Sequence, residues 1–302
     1  MRVVRARPTG TARAAAGFLC VLVAAAVLAS VLAPYAVDAL DLAHRRAPPS
    51  LAHWFGTDEL GRDVLTRVLF GARVSLSIGL LSACVSAALG GAVGAAAGYA
   101  GGWIDDALMR FTDAMLSVPR LPLLMIAGAI LQPRVPLLVL LVGAAGWMET
   151  ARVVRSKVQS IAARDFVMAA RSIGVGPSRI VWRHILPGVV PVVSVATMLA
   201  VGRGILVEST LSFFGVGVQP PTASWGNMLY QAQTTMTSEP WLAVFPGVFI
   251  FLTVLACNAM GERRASDEQS NLVSALSVTP RLSPSPSGSA PSAAAGRGRT
   301  PP

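Results

Sequence analysis

Conventional catalysis has little to work with in this chain of 302 residues. Its three histidines, His44, His53 and His184, lie outside the long apolar runs, so a serine or threonine nucleophile within a bilayer would have no imidazole base. The one lysine, Lys157, follows Val-Val-Arg-Ser instead of a glycine-rich turn, which rules out a phosphate cradle and with it ATP hydrolysis by this chain alone. No His-Glu-x-x-His helix occurs. Cys20, Cys84 and Cys257 sit singly inside apolar runs, with neither zinc-ligand nor disulfide spacing, and read as small packing residues. No catalytic residue, metal or cofactor is expected.

The spacing that does carry information is mechanical. Between Arg164 and Pro187, Asp165 is placed as a helix N-cap and Gly174 as the glycine just past a helix end, enclosing two to three turns. Phe166, Ala169, Ala170 and Ile173 fall on one face of that helix. A second helix starts at Pro177 and is expected to stop before Pro187. A short helix, a glycine elbow and another helix make a rigid projection able to dock in a partner's groove. Arg203 and Glu208 are the other residues of interest, because ionisable groups in an apolar run default to functional candidates. Their five-residue separation is poor for pairing on one helix, which leaves a translocation pathway, a structural pairing or an interfacial position open.

The elements that would hold these residues are apolar helices. Hydrophobic residues make up 53% of the chain and charged residues 13%, about half the density of a soluble domain. Runs at about 18–33, 74–98, 114–131, 135–154, 188–207 and 241–260 are each long enough to cross a bilayer. The expectation is an all-α polytopic membrane protein with six transmembrane helices. The formal charge of +10 is carried mostly by arginines at the edges of these runs, which explains it without nucleic acid. The N-terminal arm and the segment after the fourth run are basic, whereas 209–240 has no Lys or Arg. Six spans with both termini cytoplasmic satisfy that asymmetry. The division is then a basic arm over 1–17 leading into an uncleaved first span, a six-span domain over 18–262, and a disordered cytoplasmic tail over 263–302, rich in Ser, Pro, Ala, Gly and Arg.

Three details complete this reading. The loop 35–73 is external with six spans, and its Asp58/Arg62 and Asp63/Arg67 spacings beside Val64, Leu65, Val68 and Leu69 suggest an amphipathic helix at the interface. Asp105, Asp106 and Arg110 read as a solvated cytoplasmic turn. Gly90, Gly94 and Gly98, four apart, mark a helix surface for close approach, and Pro119, Pro122 and Pro191 are expected to bend their helices.

The stretch 164–187 resembles the "EAA" coupling loop of binding-protein-dependent ABC importers, E-A-A-x3-G-x9-I-x-L-P. Ala169, Ala170, Gly174, Leu186 and Pro187 match, while Met168 and His184 replace the usual Glu and Ile. His53-Trp-Phe-Gly-Thr-Asp-Glu-Leu-Gly-Arg-Asp63 with Gly71-Ala-Arg-Val-Ser-Leu76, and Glu208-Ser-Thr-Leu-Ser-Phe-Phe-Gly-Val-Gly-Val-Gln-Pro-Pro221 with Ser224-Trp-Gly-Asn-Met228, resemble the oligopeptide/dipeptide branch, in particular its C-type permease. The likeness covers about 18–262. It implies a cytoplasmic (inner) membrane permease working by alternating access, with two cytoplasmic ATP-binding subunits, a second homologous permease, an external solute-binding protein and membrane lipid as partners. The resemblance makes 165–174 with Leu186 and Pro187 the ATPase contact. Peptides lead as cargo, with nickel or another small solute as alternatives. A carrier driven by an ion gradient is a rival of another class, but it favours buried acids near the midplane, and these runs offer few.

Overall fold

The computed structural model describes residues 9–277. Helix α1 spans Thr9–Val27 and is followed by a single turn, α2, over Ala29–Leu32. Helix α3 runs from Val64 to Ala100, then come α4 (Gly102–Ser117), α5 (Arg120–Leu131), α6 (Val135–Ala144) and α7 (Trp147–Ala162). The short helices α8 (Asp165–Ser172) and α9 (Pro177–Ile180) precede α10 (Leu186–Phe213), α11 (Trp225–Ala232) and α12 (Trp241–Ser277). Among the described residues, four segments, Gly10–Val27, Val64–Ala100, Pro177–Phe213 and Trp241–Asp267, are long and apolar enough to cross a membrane. The pairs α4/α5 and α6/α7, bent by 77° and 46°, raise the number to six if each pair is one span. The chain is an all-α polytopic membrane protein.

The long packing seam joins α3 to α7. On α7, Ala151, Val154, Val158 and Ile161 recur at helical spacing and are buried, with Arg152, Arg155 and Lys157 off that stripe. The stripe lies on the glycine track of α3. A methyl group placed on Gly90 would sit 2.5 Å from the Trp147 carbonyl oxygen, and one on Gly98 would sit 2.7 Å from that of Arg155. Only a hydrogen fits between the two backbones there, so the expectation of close approach holds. Elsewhere on the spans Leu80, Leu89, Ile126, Ile130, Leu140, Phe251 and Leu255 are exposed, an apolar surface suited to lipid.

Several local expectations are corrected. Asp58–Arg62 is a hydrogen-bonded turn instead of an amphipathic helix, and Asp63 is the N-cap of α3, its carboxylate accepting from the Thr66 N–H at 2.8 Å. Val64 and Val68 therefore lie in the protein core against α11 and α12. Asp105 is not in a solvated turn either. It is buried on α4, takes two hydrogen bonds from Arg155 (2.5 and 2.6 Å) and one from Gln159 (3.0 Å), and ties α4 to α7. The tail read as disordered from 263 continues as helix in α12 to Ser277, where residues 262–277 contain neither glycine nor proline. Residues 278–302 of that tail and 1–8 of the basic arm lie outside the described residues, and 9–17 of the arm belong to α1.

Candidate functional site

Three clusters hold the residues singled out by sequence. The first is the projection between α7 and α10. Helix α8 begins with Asp165 as its first helical residue. The cap position is Arg164, which makes no side-chain capping bond, so the N-cap reading of Asp165 moves by one place. The aspartate still opposes the positive end of the helix. At the other end Gly174, at φ +81°, donates to the Arg171 carbonyl, and Val175 donates back to Ala170, both at 3.0 Å. These two bonds form a Schellman motif, and the left-handed glycine sets the elbow angle. Gly174→Ala is expected to cost about 1 kcal/mol of local stability, read as faster amide exchange over α8, because open space surrounds the position and the penalty is conformational alone.

The predicted face of α8 is split. Val167 and Ala170 are buried against Val154, Val158, Ile161, Ile180 and Ile185, which holds the projection to α7 and α10. Phe166, Met168, Ala169 and Ile173 are exposed, Ile173 at 81%, and Trp182 beyond the elbow is 74% exposed. Phe166 meets the His184 ring at a centroid distance of 6.0 Å, so the histidine at the motif's isoleucine position supports the outward aromatic. The second helix does not stop before Pro187. It passes through a π-helical turn, Val181–Ile185, into α10, with Leu186 half-buried and Pro187 exposed in the first turn of α10. The wider turn accommodates a ring that would otherwise collide with the carbonyl four residues back.

The second cluster joins stretches far apart in sequence. Glu208 is fully buried on α10. Its carboxylate accepts from Ser75 of α3 at 3.0 Å and from Ser212 at 2.8 Å, with Ser209 at 3.4 Å. Ser75 in turn accepts the backbone N–H of Trp225, and Trp225 donates its indole N–H to the Val68 carbonyl at 3.1 Å. Trp225 is therefore a core residue. Nearby, Asp58 takes the guanidinium of Arg62 at 2.7 Å and lies 3.6 Å from that of Arg67, which reaches Gln231 on α11 at 3.3 Å. Asp63, spaced to pair with Arg67, meets His53 at 3.0 Å instead.

The third cluster separates the two ionisable residues of α10. Arg203 pairs with Glu149 at the start of α7, not with Glu208. Arg120, the first residue of α5, lines the same narrow pocket as Arg203, together with Ser82 and Ser86 of α3. Sequence reading did not single out Arg120, Ser86 or Glu149. The signal was present, since Arg120 and Glu149 are ionisable residues inside apolar runs, as Arg203 is.

The fold is that of a multi-pass membrane protein with a short projection whose outward apolar side chains are exposed. The chain belongs to the family described as "Binding-protein-dependent transport system inner membrane component", matched over residues 90–263. It is an ABC importer permease of the oligopeptide/dipeptide type, a multi-pass inner membrane transport subunit in a family of permeases, not of enzymes. Among its relatives are proteins named glutathione transport system permease protein GsiD. Those of Shigella flexneri serotype 5b and Salmonella paratyphi A are 41% identical, and that of Escherichia coli O6:K15:H31 is 39% identical. Each alignment covers 85% of this chain and 86% of the relative.

Proposed function

We propose that this permease forms half of a pathway for peptide-type solutes, including glutathione, and is driven by two separate ATP-binding subunits, one of which docks on its α8 projection. The observation that carries the reading is the division of α8 into two faces. Val167 and Ala170 anchor it, while Phe166, Met168, Ala169 and Ile173 are exposed on its outward side. A rigid helix with an open apolar face and a fixed elbow suits a groove in a second protein. Leu186 and Pro187 then carry the movement of that helix directly into α10, since the chain is helical from Pro177 to Phe213. ATP-driven closure of the partners would favour one of two states of the spans, as alternating access requires. In this reading both termini and α8 are cytoplasmic, in line with the basic segments around α8. The opposite end, carrying α11, faces the solute-binding protein, and a homologous permease supplies the other half of the pathway. The cargo class follows the named relatives and the motif blocks at 53–76 and 208–228.

Ala169→Arg tests the docking role, because Ala169 is exposed and the substitution leaves the chain's own core intact. Purification of the tagged permease from its native membrane is expected to retain ATP-binding subunits and a second permease. The variant is expected to lose the ATP-binding subunits by at least about tenfold, a charge in an apolar contact costing about 1.4 kcal/mol or more. Wild-type protein that carries no ATPase even after mild crosslinking would reject the reading.

A further inference from the structure

We propose that the pocket formed by Arg120, Arg203, Ser82 and Ser86 binds a carboxylate of the transported solute within the membrane. This rests on the importer reading and adds the chemical group that the pathway recognises.

Two breaks in the spans meet at this pocket. The first, between Ser117 and Arg120, starts α5. The second, between Ala144 and Trp147, starts α7, and Gly146 at that break lines the pocket. Neither α5 nor α7 has a side-chain cap at its N-terminus. The first turns of both helices thus bring the positive ends of their dipoles to one place, an arrangement in which broken spans hold anionic groups.

The side chains add charge of the same sign. Arg120 and Arg203 both line the pocket. Among the described residues the acid that bonds this pair is Glu149, and it meets Arg203. Arg120 reaches only a backbone carbonyl, that of Val142, at 3.3 Å. Its Nε is buried without a partner, and so is the Ser86 hydroxyl. Buried donors without acceptors are costly, and two cations facing one acid leave a positive excess in an apolar surrounding. A carboxylate has two oxygens that match the fork of a guanidinium and can also accept from a hydroxyl. The pocket is narrow, with room for about one carboxylate oxygen, while the side chains of Arg203 and Glu149 are 40% and 53% exposed. The remainder of a solute would lie beyond the exposed side of Arg203, outside this chain. Peptides, glutathione among them, end in such a carboxylate.

The test uses the assembled complex in lipid nanodiscs without the solute-binding protein, titrated with radiolabelled reduced glutathione and with dialanine. Saturable binding of at least one of them is expected. Arg120→Gln and Arg203→Gln should each weaken it about tenfold or more, as for loss of a hydrogen bond to a charged group. Arg120→Lys should retain part of the affinity, keeping the charge without the fork. Ser86→Ala is the second kind of variant, because removing an unpartnered hydroxyl should leave melting unchanged and weaken binding about threefold. Glutathione dimethyl ester should not compete. No saturable binding of either probe by wild type, unchanged binding in the arginine variants, or equal competition by the ester would overturn the proposal. ATPase stimulation by the solute-loaded binding protein, measured on the same preparation, separates the two readings. Its absence in wild type means the importer reading itself fails. Its presence with unchanged binding in the variants removes only the carboxylate site.

Discussion

Leucine at Gly94 is expected to lower the melting temperature and membrane yield of the permease markedly, whereas leucine at Gly91 leaves both in place. Even the first carbon of a side chain at Gly94 would lie 2.8 Å from Val154 Cβ and closer still to the Ala151 carbonyl oxygen. The obstacle includes helix backbone, so no rotamer change relieves it. Helices α3 and α7 would have to separate along the seam where Gly90 and Gly98 also meet the α7 backbone. Overpacking of this kind costs about 3 kcal/mol or more, against a total stability of about 5–15 kcal/mol for an ordinary domain. At Gly91, three residues earlier, a Cβ would meet no atom within 4 Å. Leucine there should shift stability by no more than about 0.5 kcal/mol. Membrane yield and thermal unfolding in nanodiscs compare the two. Equal yields would show that α3 and α7 do not pack through this track.

The second large effect is expected at Glu208. Ser75 and Ser212 each accept a backbone N–H, from Trp225 at 3.2 Å and from Val218 at 3.0 Å. Each hydroxyl proton is thereby directed at the Glu208 carboxylate. Glu208→Ala takes away both acceptors and opens a void among α3, α10 and α11. The expected loss is on the order of 3 kcal/mol, the sum of two buried donors left unsatisfied. Glu208→Gln is informative because an amide has one carbonyl oxygen. It can accept from one serine but presents N–H to the other, so an intermediate loss of about 1 kcal/mol is expected. Thermal melting of the three forms reads the order. If Gln equals Glu, the hydroxyls are not both donors and the described network is wrong. Glu208 is thus enclosed in this network, while Arg203 opens onto the pocket shared with Arg120.

Much of this molecule is legible in one dimension because a bilayer imposes strong local rules. A helix that crosses lipid needs a continuous apolar run and must satisfy its own backbone. The positions of the spans follow from the apolar runs around Phe18, Val74 and Leu138, although the first two helices start about ten residues earlier, at Thr9 and Val64. The elbow at Gly174 was equally visible, since its left-handed backbone is a local requirement that glycine meets at no steric cost. Gly90, Gly94 and Gly98 announced a close approach for a similar reason, although not which helix approaches.

What could not be read was partner choice. Asp63 stands four residues before Arg67 and is spaced to pair with it, yet it caps α3 and meets His53, and Arg67 turns to Asp58 and Gln231. Arg203 and Glu208 share a helix and go to opposite surroundings, one to Glu149 and the other to a ring of serines. Val167, not Phe166, joins Ala170 on the inner face of α8, because the direction of α7 decides which side of the projection is covered. The sequence alone determined the membrane class, the approximate spans and the elbow, all of which depend on neighbours along the chain. Which charges pair, which serines surround Glu208 and which two breaks meet at Arg120 were decided by the tertiary structure, because those energies arise only when helices distant in sequence are packed side by side.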